Sequence, residues 1–327
     1  MLRPSLALSL IAALAACGHN DKSPAPKKSG TILTALFKAA DAEKSPWRCA
    51  ALDTPVVPDE DLGGWKAHAH SLTREGNELT IGVIADAGGD AGKTLAALGR
   101  LRGQLDDAKP DLVISLGGMG SDASQIAATL GTISDHAEWP LVALPGDLES
   151  AAAQSEAIET LRKRGARVLD GRLVRFIEAG GATLATIPGA SARDRLVAGD
   201  DGCGWTADDI AKLVGELTTR KGLRVLVTAE APRAMTGVSK RGAAGEATGE
   251  LALVAAQPVD LAVHAPSGPV SAPSAAQSGT RDGAKVALTP GTADATTRLP
   301  DAHVASAGVL AIRGDRWSWK PLVDSSK

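Results

Sequence analysis

The chain has no tyrosine and only two phenylalanines, so aromatic residues make up 2% of its 327 positions. Its 35 basic and 38 acidic residues nearly cancel, and nowhere do lysines and arginines gather with aromatics between them. Nucleic-acid binding needs a basic footprint and rings on which bases can stack, so that class of partner is excluded. There is also no G-x-S-x-G elbow, which removes the usual serine-hydrolase arrangement. The segment AGGDAGKT (87–94) approaches the phosphate cradle G-x-x-x-x-G-K-[ST], but Ala87 stands where its first glycine belongs. A tight turn around phosphate wants that glycine. The segment therefore reads as a glycine-rich strand-to-helix connection, with Lys93 in the solvated first turn.

The apolar run Leu6–Ala16 is too short to span a bilayer. With Arg3 before it and Leu14-Ala15-Ala16-Cys17 after it, the run reads as a lipoprotein signal (1–16), with Cys17 as the lipidated residue. The segment that follows, GHNDKSPAPKKSG, has no apolar period, so residues 17–30 are expected to be the lipidated cysteine and a flexible tether. The membrane is then a partner through the lipid. Gly18, in place of Asp, favours the outer membrane, facing the periplasm, by the sorting rule of some Gram-negative lipoproteins.

With Cys17 assigned to lipid, Cys49 and Cys203 are the remaining thiols. Two readings stand: a disulfide, since an exported protein folds where disulfides persist, or two small buried apolar residues.

Residues 31–65 read as an N-terminal extension that opens with a short amphipathic helix over 31–44. Residues 66–323 read as one α/β domain, since the roughly 300 residues beyond the tether suffice for a core. In that domain strand, glycine-rich loop and helix alternate. Strands are expected at 81–86, 111–118, 140–147, 223–229 and 259–264, with helices at 95–105, 124–137, 151–164, 208–217 and 246–256. Thr206 caps the fourth helix, and Gly165 ends the third. Residues 179–181 turn a hairpin, and Arg313-Gly314-Asp315 is a hairpin turn rather than an adhesion signal. Residues 265–283 (APSGPVSAPSAAQSGTRDG) are low in complexity and read as a mobile loop.

The strand ends carry the chemistry to be weighed. They are IADAGG with Asp86 and Gly88, SLGGMG with Gly117 and Gly118, LPGDLE with Gly146, Asp147, Leu148 and Glu149, VTAEAPR with Ala229 and Pro232, and VHAPSG with His264. In order and spacing, over residues 78–322, these resemble the calcineurin-like metallophosphoesterases, whose strands end in D-x-H, G-D, G-N-H-[DE], a histidine before proline, and G-H-x-H. The resemblance implies a four-layer α/β/β/α sandwich with two mixed β-sheets. It also implies two bridged metal ions that activate water toward a phosphoester.

Most of the ligands differ. Asp86 is kept, and Asp147 is an oxygen group at the asparagine position. Gly88 replaces a histidine, Gly118 the bridging aspartate, Leu148 and Ala229 two more histidines, and His264 stands alone for a pair. Side chains without lone pairs cannot hold the ions. The expectation is therefore a degenerate domain with no cofactor, leaving room only for a single divalent metal on Asp86, Asp147, Glu149 and His264. Function follows the site and not the fold, so the leading reading is a non-catalytic binding or scaffolding protein whose partner is an envelope protein or a small ligand. The alternative is a divergent metal-dependent phosphoester hydrolase. His68 and His70 alternate along a strand without a third ligand nearby and read as a solvated face.

Overall fold

The computed structural model describes residues 47–53, 55–191, 196–230, 259–266, 272–283, 285–296 and 305–324. The expected signal, Cys17, tether, first amphipathic helix, Pro232 and helix 246–256 lie outside the described residues. Everything described falls within one compact unit, Ser45–Lys327. No described helix is long and apolar enough to cross a membrane.

Two mixed sheets dominate. In one, β5 (Glu78–Ile84), β6 (Leu112–Leu116), β7 (Leu141–Leu144) and β8 (Val168–Asp170) run parallel. β16 (Ser306–Arg313), β17 (Arg316–Val323) and β14 (Gln277–Thr280) extend that sheet antiparallel beyond β5, to seven strands. The second sheet has eight strands. Its parallel half is β10 (Ala182–Ile187), β12 (Leu223–Thr228), β13 (Leu261–His264) and β15 (Val286–Leu288). Beyond β10 it continues through β9 (Phe176–Ala179), β4 (Ser71–Thr73), β3 (Lys66–Ala69) and β2 (Val57–Asp61).

Strand alternation sets the layers. Ile81, Val83, Ile114, Leu116, Val142 and Leu144 meet Leu184, Val225, Val227, Leu261 and Val263 between the sheets, in one buried cluster. The opposite face of the seven-stranded sheet, with Ile84, Val113 and Leu141, is covered by three helices: α1 (Gly92–Ala108), α2 (Ala123–Ser134) and α3 (Ala151–Lys163). The outer face of the other sheet, with Ile187, Leu226 and Ala262, is covered by α4 (Ala207–Thr219) through Ile210, Leu213, Val214 and Leu217. The result is the α/β/β/α sandwich, in which each helix buries one stripe. Thr206 and Asp209 close a reciprocal capping box at the start of α4. Gly165 follows α3 with φ +90°, and Gly314 turns the β16–β17 hairpin with φ +62°.

Two segments differ from the expectation. Residues 277–280, inside the stretch read as a mobile loop, form β14 and pair with β17 from Gln277–Trp319 to Thr280–Arg316. The low-complexity composition hid this strand, whose side chains are mostly exposed, because an edge strand on solvent needs no apolar alternation. Paired strands also begin upstream of residue 66: β2, in the stretch read as extension, is the antiparallel neighbour of β3. Its VPDED sequence carries the proline and charges typical of a sheet edge.

Further upstream, β1 (Trp47–Arg48) pairs in parallel with β11 (Cys203–Gly204). Cys49 and Cys203 form a disulfide across 154 residues, and both are fully buried. Arg48 meets the buried Asp209 carboxylate at the start of α4. Arg175, itself buried, donates to Ala51 O at 3.0 Å. Strand pairing, covalent bond and charge thus fix residues 47–51 to the domain.

Candidate functional site

Loops at the carboxyl ends of the parallel strands meet through a continuous series of backbone hydrogen bonds. Asp86 N donates to Gly117 O at 2.8 Å, and Gly88 N to Gly118 O at 2.9 Å, which joins the β5 and β6 loops. Gly189 N donates to Pro145 O at 2.7 Å, joining the β10 loop of one sheet to the β7 loop of the other. Ala229 N to Ile187 O, and Ala265 N to Thr228 O, carry the series on to β12 and β13, both at 3.0 Å. The loop after β15 returns to β5, with Ala293 N on Ala85 O and Asp294 N on Asp86 O, both at 2.9 Å. Asp86, Gly88, Gly118, Asp147, Leu148, Ala229 and His264 therefore belong to one connected rim, at the edge where open parallel sheets place ligands.

The groups on this rim are mostly occupied or enclosed. Asp86 adopts a left-handed backbone, φ +52°. Its carboxyl is pushed up to about 6, chiefly by burial and then by the charges of Asp294 and Asp147, while a hydrogen bond from Thr292 opposes the shift. Glu149 is fully buried, and its two oxygens accept from Met119 N at 2.6 Å and Gly146 N at 2.9 Å. Burial pushes it up to about 7 against those amides, which favour the ionised form. Its carboxylate fastens the β6 loop to the β7 loop, with both oxygens engaged. His264 is buried, and its Nδ1 lies 2.7 Å from Ala265 O, so that nitrogen carries the hydrogen. Burial holds the imidazole down at about 4, hence neutral, and Nε2 has no hydrogen-bond partner among the described residues.

The glycine positions are closed to side chains, and not only vacant of them. A Cβ on Gly118, whose φ is +71°, would fall 2.7 Å from Asp86 Cα and 2.9 Å from Asp86 Oδ1. On Gly88 it would meet the Asp294 carboxylate at 3.1 Å. The space beside Gly88, where the metallophosphoesterase pattern has a histidine, is filled by Asp294. Asp294 Oδ1 in turn accepts from Thr94 Oγ1 at 3.1 Å and from the amide and hydroxyl of Thr296, both at 2.7 Å. Thr94, the last residue of the near-match to a phosphate cradle, is thus buried against a carboxylate.

Sequence reasoning missed Asp294, Thr292 and Glu230. Asp294 carries a local signal, since an Asp accepting from the amide two residues on is an Asx turn in D-A-T. Glu230 is buried and accepts from Ser191 N at 3.2 Å, tying the β12 loop to the β10 loop. Nothing in its sequence neighbourhood marks it.

Two metal ions need several imidazoles and carboxylates converging with free lone pairs. Among the described residues, no three His, Cys, Asp or Glu come together so as to hold an ion. Glu149 turns both oxygens to amides, and Gly118 has no room for a bridging carboxylate, so the rim does not fit a two-metal centre.

No family model matches the chain, and no curated protein matches it in sequence. Solved structures do match. One, aligned over its whole length and 76% of this chain, has a TM-score of 0.50 at 9% identity. A dimetal phosphatase from Danio rerio aligns over 75% of this chain and 98% of its own, with a TM-score of 0.47 at 12% identity. A metallophosphoesterase from Sphaerobacter thermophilus aligns over 75% and 88%, with a TM-score of 0.32 at 11% identity. The likeness is one of fold. At these identities it says nothing of activity.

Proposed function

We propose that this chain is a non-catalytic protein built on a metallophosphoesterase-like fold, held to a membrane by lipid on Cys17 and used for binding or assembly in the cell envelope. The observation that carries the first part is the contact between Gly118 and Asp86. A bridging carboxylate cannot be accommodated at Gly118 without displacing the one aspartate that the ligand pattern retains. Two cations a few ångströms apart repel one another strongly unless a shared anion sits between them. Without that anion there is no metal pair to generate hydroxide at neutral pH.

Metal content and hydrolysis decide the matter together. The purified protein is expected to carry no stoichiometric Mn, Fe or Zn and to leave a generic aryl phosphodiester intact when those metals are added. Bound metal at one or two equivalents, with metal-dependent turnover, would establish the competing reading of a divergent hydrolase. That reading would draw on Nε2 of His264, which has no hydrogen-bond partner among the described residues.

Membrane anchoring rests on the signal, the cysteine and the polar tether of residues 1–30. Gly18 supports the outer membrane as the destination. A Cys17→Ser protein is expected to leave the membrane fraction, and its retention there would reject the anchor.

A further inference from the structure

The disulfide stands directly behind the place where the loops of the two sheets meet. Gly189 N donates to Pro145 O and so joins the β10 loop to the β7 loop, and the next amide, Ala190 N, donates to Cys203 O at 3.0 Å. Gly189, with φ +75°, approaches that carbonyl so closely that a Cβ would fall 1.9 Å from its oxygen. Ala190 and Gly204 form an isolated parallel bridge beside this contact. The junction of the two sheets on the rim therefore rests on the backbone of Cys203.

The residues before Cys203 reach the other side of the same junction. Val197 N donates to Asp147 O at 2.8 Å, Gly202 bridges Ser150, and Asp201 Oδ2 accepts from Ala152 N at 3.1 Å. Residues 196–204 are thus a strap that crosses from the β7 loop to the β10 loop and lies along Asp147 of the rim. Its cross-link to the rest of the chain is Cys203 on Cys49.

What the bond fastens is local. The apolar clusters that close the two sheets contain neither cysteine. Cys49 sits in a surface segment, in which Arg48 and Asp53 are exposed and the pairing of β1 with β11 is two residues long. Displacing that segment uncovers the bond from the Cys49 side without parting a sheet, so a reductant has a route that does not require global unfolding.

We propose that the Cys49–Cys203 bond is a redox latch on the rim: while it is closed the strap keeps the sheet junction shut, and when a dithiol opens it the strap lifts and uncovers Asp147 and Leu148. Both residues are half-buried in the closed form. In the exchange a thiolate of the dithiol attacks one sulfur, the S–S bond breaks, two thiols form on the chain and the dithiol leaves as a disulfide. The latch governs access to the rim, and it stands whether the rim hydrolyses or only binds.

The Cys17→Ser protein, in which Cys49 and Cys203 are the only cysteines, tests the latch. It is treated with dithiothreitol without denaturant, alkylated with iodoacetamide, and followed by mass and by hydrogen exchange. Both cysteines are expected to be alkylated, and the amides of Gly189, Ala190 and Val197 to lose about tenfold or more of their protection, while those of β5, β6 and β12 keep theirs. Reoxidation of an unalkylated sample should restore all three. Arg48→Gln, which removes the ion pair on Asp209 but not the bond, should speed reduction and leave the oxidised rim as protected as before. A bond that yields only in denaturant, rim amides that stay protected once it is open, or loss spread equally through the sheets would each overturn the proposal.

Discussion

Gly118 and Asp86 exclude one another: any side chain on Gly118 would occupy the space of the Asp86 backbone and carboxylate, with its Cβ only 2.7 Å from Asp86 Cα. The two loops close on each other through Asp86 N to Gly117 O and Gly88 N to Gly118 O. That closure depends on a residue with no Cβ at φ +71°. The rim is packed around its glycines, so a side chain at Gly118 meets backbone and not open space.

Restoring an aspartate should therefore fail. Gly118→Asp is expected to lower stability by at least about 2 kcal/mol, from left-handed strain and the displaced Asp86 together. It should bring no gain in bound Mn or Fe. Denaturant unfolding beside metal analysis checks both parts, and a stable variant that takes up metal would show that the loops can part.

The acid groups of the rim set an unusual dependence on pH. Asp86 and Glu149 have folded values of about 6 and about 7, raised above their ordinary ones, so the folded state holds two protons that the unfolded chain releases by pH 5. His264, held at about 4, works the other way, because the unfolded chain binds a proton there that the folded state refuses. Between pH 4.5 and 6 the folded state is ahead by roughly two-thirds of a proton, so these groups make stability fall by about 1 kcal/mol per pH unit as pH rises. The fall ends once pH passes the folded value of Glu149. His264→Asn, which keeps a donor for Ala265 O, removes the opposing proton and should about double the slope over that window. Urea midpoints across pH 4.5–8 in both proteins test this, and a slope that rises with pH would refute the assignment of Asp86 and Glu149.

How much of this was legible in the sequence differs between fold and rim. The parallel strands at 81–86, 111–118 and 140–147 are continuous apolar runs flanked by glycine, and the helix stripe of Leu98, Leu101 and Leu105 follows the 3.6 period. Local chemistry of this kind places Thr206, Gly165 and Gly314 as well. The edge strands β2 and β14 were not legible, because a strand whose side chains face water has no apolar alternation to betray it. On the rim, the order of strand ends was visible, including Asp86 and His264. The closure around Gly118 was not, since a glycine in a sequence looks the same whether the space beside it is empty or filled. Asp294 filling the place beside Gly88 is a contact across about 200 residues, and spacing cannot show it.

The disulfide should act on the amino-terminal segment more than on the core. Cys49 and Cys203 join residues 47–51 to the β10–α4 connection, while the two sheets close on their own apolar cluster. Replacing both with serine is expected to cost about 2–4 kcal/mol of global stability. Hydrogen exchange should show amides of residues 48–53 losing protection first, since only the short β1–β11 pairing, Arg48 on Asp209 and Arg175 on Ala51 then tie the segment to the domain. Uniform loss of protection across the sheets would mean that the bond supports the whole fold and not its upstream attachment.

Gly308 gives the sharpest test of how the antiparallel flank packs. It sits in β16 opposite Pro321, and a Cβ there would run into the six-membered ring of Trp319 on the neighbouring strand, 2.0 Å from Cη2 and 2.1 Å from Cζ2. Trp319 is 2% exposed, and its Nε1 donates to Ser274 O at 3.1 Å, so the ring is buried and held by that hydrogen bond. Gly308→Ala adds one methyl group where the indole already stands, so the ring must shift and its hydrogen bond to Ser274 O is expected to break. The expected loss is about 2–4 kcal/mol, larger than overpacking alone, because a buried indole donor is left without an acceptor as well. Gly308→Ala with Trp319→Leu should recover part of it, since a smaller side chain leaves space for the methyl and carries no donor. If the single substitution proves neutral, the ring is free to tilt, and the close packing of β16 on β17 is looser than the contact implies.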